Sequence, residues 1–186
     1  MLETGDEWRS RGLWIGIAAM TFVVTLSNVL VQFPISDWLT WAAFTYPISF
    51  LVTDLTNRAL GPRPARRVVY VGFAVAVVLS IAFAGWRIAL ASGAAFLVAQ
   101  LLDVYLFDRL RRAAWWRAPF LSSTLASALD TAVFFSLAFA GTQVPWVTLA
   151  LGDYAVKLAM AGAMLLPFRA LMSTIRARPA DEALSS

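Results

Sequence analysis

The sequence predicts an all-α integral membrane protein with six transmembrane helices and both termini in the cytoplasm. The mean hydropathy is +0.72 and only 14% of residues are charged, whereas roughly a quarter are charged in ordinary soluble domains. Six windows are long and apolar enough to cross a bilayer, which takes about 20 residues per helix. The arginines lie near alternate ends of these windows, which indicates the orientation.

The connections between the six predicted spans are short, so the chain divides into three parts. A polar cytoplasmic segment (1–12) precedes a six-helix membrane domain (13–168), and a polar cytoplasmic tail (169–186) follows it. The first apolar stretch is too long for a signal-peptide core and is expected to be retained. Glycine and proline mark breaks at 61–64 and 141–145. The six spans are 13–33, 38–59, 68–86, 88–107, 120–141 and 145–168.

Twelve arginines fall on one side of this topology and a single one, Arg87, falls on the other. The positive-inside rule therefore places both termini in the cytoplasm. The same residues account for the pI near 10.1, so no nucleic-acid partner is needed to explain the charge. The twelve are Arg9, Arg11, Arg63, Arg66, Arg67, Arg109, Arg111, Arg112, Arg117, Arg169, Arg176 and Arg178.

The residue types that are missing exclude several kinds of chemistry. The chain has no cysteine and no histidine, so thiol chemistry, Ser-His catalysis and the commonest metal ligand are absent. We predict no metal, no cofactor and no enzymatic activity. An intramembrane acid–base pair of aspartates is the remaining enzyme alternative, but no GxGD-type motif supports it. No GxxxxGK[ST] loop is present either, which indicates that the chain holds no ATPase.

A small set of polar residues lies inside the predicted spans and marks the candidate site. Ionisable residues within membrane helices usually face a bundle interior or a water-filled cavity. Several of these residues are three apart and so share a helix face, which is expected of helices that line one polar pocket. The candidate substrate-binding residues are Asn28, Asp54, Asn57, Gln100, Asp103, Ser127, Asp130, Thr131 and Lys157.

Structural roles compete with ligand binding at some of these positions. Depth along the predicted spans puts Asp130 and Lys157 in one layer near the membrane midplane. Asp153 and Lys157 are four residues apart and can neutralise each other along one helix, and Asp54 and Arg58 have the same spacing. Asp130 has no opposite charge within its own helix, which favours a direct function. Both interpretations stay open for the pairs.

Four segments resemble the queuosine-precursor transporters, a family formerly grouped as vitamin uptake transporters. The similarity extends from Ser27 to Phe168 with the family's order and spacing. The segments are FTYPISFLVTDLTNRALGPRPARRVVYVGF (44–73), LVAQLLDVYLFDRL (97–110), LSSTLASALDTAVFFSLAFAG (121–141) and GDYAVKLAMAGAMLLPF (152–168).

The resemblance implies a multi-pass importer in the bacterial inner membrane for the cyano- and aminomethyl-deazaguanine bases that supply queuosine in tRNA. It also implies a fold related to the substrate-binding subunits of energy-coupling-factor transporters. The alternative is therefore a substrate-binding subunit that needs a separate ATP-driven module, for a purine-like or vitamin-like ligand. The preferred base, the energy source and the choice between monomer and homodimer stay open.

The chemistry of a deazaguanine suggests roles for the candidate residues. One edge of the base carries a carbonyl, an N–H and an amino group, and a carboxylate accepts hydrogen bonds from both donors at once. We expect Asp130 or Asp103 to hold this edge. Polar side chains finish the hydrogen-bond set, Lys157 keeps a carboxylate ionised, and Asp54 lines the cytoplasmic half of the path. The polar side chains are Asn57, Gln100 and Asn28, with Ser127 and Thr131 beside them.

Overall fold

The structure, a computed structural model, describes residues 3–30, 33–36 and 39–173. Residues 174–186, which include Arg176, Arg178 and most of the predicted tail, lie outside the described residues. The elements are α1 (Glu3–Leu30), β1 (Pro34–Ser36), β2 (Leu39–Thr40), α2 (Ala42–Thr45), α3 (Ile48–Leu60), α4 (Pro62–Ala84), α5 (Trp86–Leu110), α6 (Arg117–Phe139), α7 (Trp146–Ala163) and α8 (Leu165–Met172).

Within this part of the chain, five helical segments are long and apolar enough to cross a membrane. The last of them joins α7 and α8, which are separated by one residue. This result confirms a helical membrane protein and the predicted breaks at 61–64 and 141–145. The five segments are Glu7–Leu30, Pro62–Phe83, Trp86–Leu110, Arg117–Phe139 and Trp146–Met172.

The prediction of one continuous helix over 38–59 is wrong. Strands β1 and β2 pair as a small antiparallel ribbon, and the four-residue helix α2 follows. Pro47, which has no N–H to donate, separates α2 from α3. The 13 residues of α3 extend about 20 Å at 1.5 Å per residue, whereas the hydrocarbon core of a bilayer is about 30 Å thick. Helix α3 by itself therefore reaches only part of the way across.

The short helix α3 lies at the centre of the bundle and contacts α1, α4, α5, α6 and α8. Lipid offers no hydrogen-bond partners, so a helix with this much buried polar surface must be surrounded by protein. Seven of its residues are buried and five of those are polar: Ser49, Phe50, Thr53, Asp54, Thr56, Asn57 and Leu60.

Two glycines make the sharp turns on either side of α4. Gly61 has a φ of 92° and Gly85 has a φ of 78°, values that a residue with a β-carbon adopts only at a cost. Pro62 then begins α4 at a position where its missing N–H removes no helical hydrogen bond. These turns let α3, α4 and α5 pack side by side along the chain.

An apolar cluster holds α1, α4 and α5 together on one side of α3. The polar residues lie on the opposite side of α3 and on α5, α6 and α7. The fully buried members of the cluster are Met20, Val24, Ala65, Val68, Val69, Phe96 and Val104.

Candidate functional site

Lys157 joins α7 to α6 through a buried ionic network. Its ammonium lies 2.7 Å from Asp130 Oδ2 and 2.5 Å from Asp153 Oδ2. It also donates to the hydroxyl of Thr131 at 3.1 Å, and Thr131 donates in turn to Asp153 at 2.7 Å. Lys157 and Asp130 are only 7% and 4% exposed, so the predicted shared layer of these two residues is confirmed. Lys157 also pairs with Asp153, which lies four residues earlier in the same helix, as predicted.

This network is the main polar link between α7 and the rest of the bundle. The buried residues of α7 are Lys157 and Ala161, while most of the helix faces outwards. A buried charge without a partner is strongly disfavoured, so Lys157 fixes the position of α7 against α6. The packing of α7 thus depends on the charge balance of the site.

Tyr46 completes the network from the break between α2 and α3. Its hydroxyl donates to Asp130 Oδ1 at 3.0 Å, and its ring lies 5.6 Å from the Lys157 ammonium, within cation–π range. The sequence prediction did not include Tyr46 among the site residues. Its position directly before Pro47 was the available signal, because a helix break in a membrane often lines a site.

A second polar centre joins α3, α5 and α6. Asp54 and Asp103 are 2% and 0% exposed, and both lie close to the Ser123 hydroxyl of α6. The Ser123 hydroxyl is 3.5 Å from Asp54 Oδ2 and 3.4 Å from Asp103 Oδ1, and the Ser122 hydroxyl is 3.5 Å from Asp54 Oδ1. Asp54 and Arg58 form no ion pair within 4.0 Å in the described structure, so their spacing does not produce the alternative structural pair.

Gln100 and Asn57 are buried and join α5 to α3. Gln100 donates to the Ser49 hydroxyl at 2.8 Å and accepts from the Thr53 hydroxyl at 2.7 Å. Asn57 donates to the carbonyl of Val104 at 2.8 Å. In this conformation both amides therefore hold helices together.

Arg111 and Asn28 occupy the two ends of the bundle. Arg111 follows α5 and donates to the backbone and side-chain oxygens of Asn57 at 2.7 and 2.9 Å, while it pairs with Asp108 at 3.0 Å. Asn28 donates to the carbonyl of Val24 within its own helix at 2.9 Å. Neither contact places Asn28 or Asn57 beside Lys157.

A cleft lies between α3, α6, α7 and α8 and connects the two polar centres. Lys157 and Asp54 line it, together with Ser123 and Ser127, and Phe50 and Phe168 are among its apolar walls. It contains about 320 Å³ of space between atoms, its open mouth included, but it is too narrow here for more than about one water molecule. A larger ligand can enter only if the helices that line the cleft move apart.

A family of uptake transporters matches almost all of the described structure after the ribbon. The family described as "Putative vitamin uptake transporter" matches residues 40–85 and 80–172, which include α2 to α8 and both polar centres. The chain belongs to this family. The predicted membership of the family formerly grouped as vitamin uptake transporters is thereby confirmed.

Curated members of this transporter family align along most of their length. A "Probable queuosine precursor transporter" of Haemophilus influenzae is 35% identical over 204 residues, 87% of this chain and 86% of the relative. The "Queuosine precursor transporter" of Escherichia coli is 34% identical over 199 residues, 91% of this chain and 90% of the relative. A "Probable queuosine precursor transporter" of Bacillus subtilis is 25% identical over 178 residues, 80% of this chain and 77% of the relative.

No solved structure matches this transporter. Its long apolar helices and its bacterial relatives show that it is a multi-pass protein of the bacterial inner membrane.

Proposed function

We propose that the chain imports queuosine precursors, the cyano- and aminomethyl-deazaguanine bases, for the modification of tRNA. The observation that supports this most strongly is the identity of 34% over 91% of the chain with the Escherichia coli queuosine precursor transporter. A transporter family also supports the prediction that the chain is not an enzyme. The polar cleft among apolar helices provides a site for a small, flat base within the membrane.

The proposed base site is the cleft between α3 and α7. Phe50 and Phe168 on its walls can pack against the faces of a flat base. At the polar positions, Asp54 and the Ser127 hydroxyl can accept from the N–H and amino groups. Lys157 can donate to the ring carbonyl once α7 has moved. The base thus meets apolar faces and polar edges, which matches its chemistry.

We propose that the other candidate residues orient Lys157 or hold the helices around the base site together. Both oxygens of Asp130 are engaged, one by Tyr46 and one by Lys157. We assign Asp130 and Thr131 to the orientation of Lys157. The Asp130 carboxylate can reach the base when the network opens. The amides of Gln100 and Asn57 maintain the contact of α3 with α5. Asp103 lies in the interior beside Asp54, and Asn28 lies at one end of the bundle.

The topology in the proposal has six crossings and cytoplasmic termini. The sixth crossing is composite: the ribbon, α2 and α3 together return the chain across the bilayer after α1. The structure supports it because Arg111 reaches the end of α3 at Asn57 and Trp8 lies near Leu60 and Leu171 in one groove. The arginine-rich ends thus meet at one end of the bundle, which the positive-inside rule assigns to the cytoplasm. A relation to the energy-coupling-factor subunits is implied by the resemblance.

Rescue of tRNA modification tests the function. The chain is expressed in a bacterial strain that cannot make the precursor, has lost its own importer and contains no ATP-driven coupling module. Queuosine in tRNA is measured after either base is supplied at low concentration. We expect rescue by the wild-type chain and not by Lys157→Met, while Glu7→Gln, a change of an exposed carboxylate outside the site, behaves as wild type.

The same strain separates the two modes of transport. Rescue without any module shows that the chain works by itself, whereas rescue that requires an added module shows the substrate-binding subunit. Absence of rescue in both backgrounds, with the protein present in the membrane, refutes the proposed function.

A further inference from the structure

The carboxyl groups of Asp54 and Asp103 are placed unusually for two acidic residues. They are buried on different helices, and the Ser123 hydroxyl lies within 3.5 Å of both. That hydroxyl has one hydrogen and can donate to only one of them at a time. Asp103 Oδ2 is buried with no hydrogen-bond donor among the described residues. An additional hydrogen is therefore needed at this centre.

The cations around this centre are paired with other groups or lie more than 4.0 Å from both carboxyl groups in the described structure. The Lys157 ammonium is held by Asp130 and Asp153, and Arg111 pairs with Asp108. Arg58 is one turn from Asp54 on α3 and forms no ion pair with it, and Arg169 on α8 stacks on Trp115. The other charged side chains of known burial are exposed at or beside the ends of α1, α4, α5 and α6: Glu7, Arg9, Arg11, Arg63, Arg66, Arg67, Arg87, Arg109, Arg112 and Arg117.

We propose that Asp54 and Asp103 form a proton-binding site that couples import of the base to movement of a proton. The inference rests on the proposed function. Two adjacent carboxylates without a cation cannot both stay ionised in a buried site, because repulsion and the loss of hydration oppose it. In the closed conformation the pair therefore holds at least one proton.

Opening of the cleft changes this balance. Asp54 and Ser123 line the same cleft as Lys157, so water that enters with the base reaches the pair. Hydrated and separated from Asp103, Asp54 can ionise and release the proton to that water. Closure then takes up one proton from water on one side, and opening to the other side releases it there, with no bond in the base altered. Protonation and closure are thus thermodynamically linked.

Liposomes that contain only the purified chain test the coupling. A pH-sensitive dye inside reports proton movement, and labelled cyano-deazaguanine, which has no alkylamine to carry a proton of its own, reports transport. For the wild-type chain we expect internal acidification as the base enters. An imposed gradient of one pH unit, acid outside, should raise accumulation by up to about tenfold if one proton moves with each base.

The variant Asp103→Asn separates coupling from binding, because Asp103 is not among the described residues that line the cleft. It is expected to exchange labelled base for unlabelled base across the membrane, because exchange needs no net proton movement. It should lose base-dependent acidification and the response to the pH gradient. The Glu7→Gln variant, which removes a carboxylate outside the site, should keep all three.

Three outcomes would overturn the coupling site. The first is entry of base into wild-type liposomes without proton movement, which also decides the matter if the variant does not fold. The second is gradient-driven accumulation by Asp103→Asn. The third is loss of exchange in Asp103→Asn as a folded protein, because the Asp103 carboxyl group would then bind the base itself. Failure of the proposed function is a separate result, namely no exchange of base by the wild-type chain.

Discussion

Replacement of Lys157 by methionine is the most informative perturbation of the structure. Methionine is similar in length to lysine, so the change removes the charge while it leaves little cavity. In the wild-type chain the Lys157 ammonium lies between Asp130 and Asp153. The variant leaves these two carboxylates without a cation between them. Loss of one partner of a buried ion pair costs roughly 3–5 kcal/mol. We expect a loss of this size in the free energy of unfolding, together with loss of uptake.

A double-mutant cycle separates the charge from the packing. In Lys157→Met/Asp130→Asn one uncompensated carboxylate is removed, so part of the lost stability should return. Coupling between residues in direct contact is typically 0.5–3 kcal/mol. Unfolding is followed by tryptophan fluorescence during titration with a denaturing detergent, because the chain contains eight tryptophans.

Removal of an exposed cation, Arg67→Met, is the control for this cycle. It should change the free energy of unfolding by no more than about 0.5 kcal/mol. The Lys157 charge does not have the proposed role if Lys157→Met matches this control in stability and uptake. The same conclusion follows if the losses in the free energy of unfolding from the two changes in the cycle are additive.

Three further changes test single contacts. Tyr46→Phe removes the hydrogen bond to Asp130 but keeps the ring, so we expect a loss of about 1.5–3 kcal/mol in stability and weaker uptake; unchanged values in both assays would contradict the contact. Gly61→Ala forces a β-carbon onto a φ of 92°, and a loss of about 1–3 kcal/mol should appear in the same unfolding titration, whereas wild-type stability would show that the turn is not as described. Arg111→Gln removes the cation that donates to Asn57, and faster hydrogen exchange at the end of α3 should follow, which unchanged exchange would disprove.

The long helices were predictable because each carries an uninterrupted apolar run of membrane length. The second span was not, because strand β2, α2 and α3 lie within one predominantly apolar window (38–59), and hydropathy does not distinguish a strand from a helix. Pro47 was the local signal for the break. The sequence therefore predicts the bundle but not its short central helix.

The candidate site was predictable in part. Depth along the helices correctly placed Asp130 beside Lys157, and spacing put Asp54 and Asp103 in the interior. The amides of Gln100 and Asn57 face inwards as expected, but they join helices in this conformation. An inward polar face is required by both roles, so spacing alone could not separate ligand binding from helix packing.

Import by the chain alone can be measured in liposomes that contain no other protein. Labelled aminomethyl-deazaguanine is supplied outside, and entry is compared for the wild-type chain, for Lys157→Met and for empty liposomes. We expect entry through the wild-type chain that unlabelled cyano-deazaguanine competes away, and entry at the level of empty liposomes for the variant. Equal entry in all three samples, with the wild-type chain folded in the liposomes, would contradict import by the chain alone.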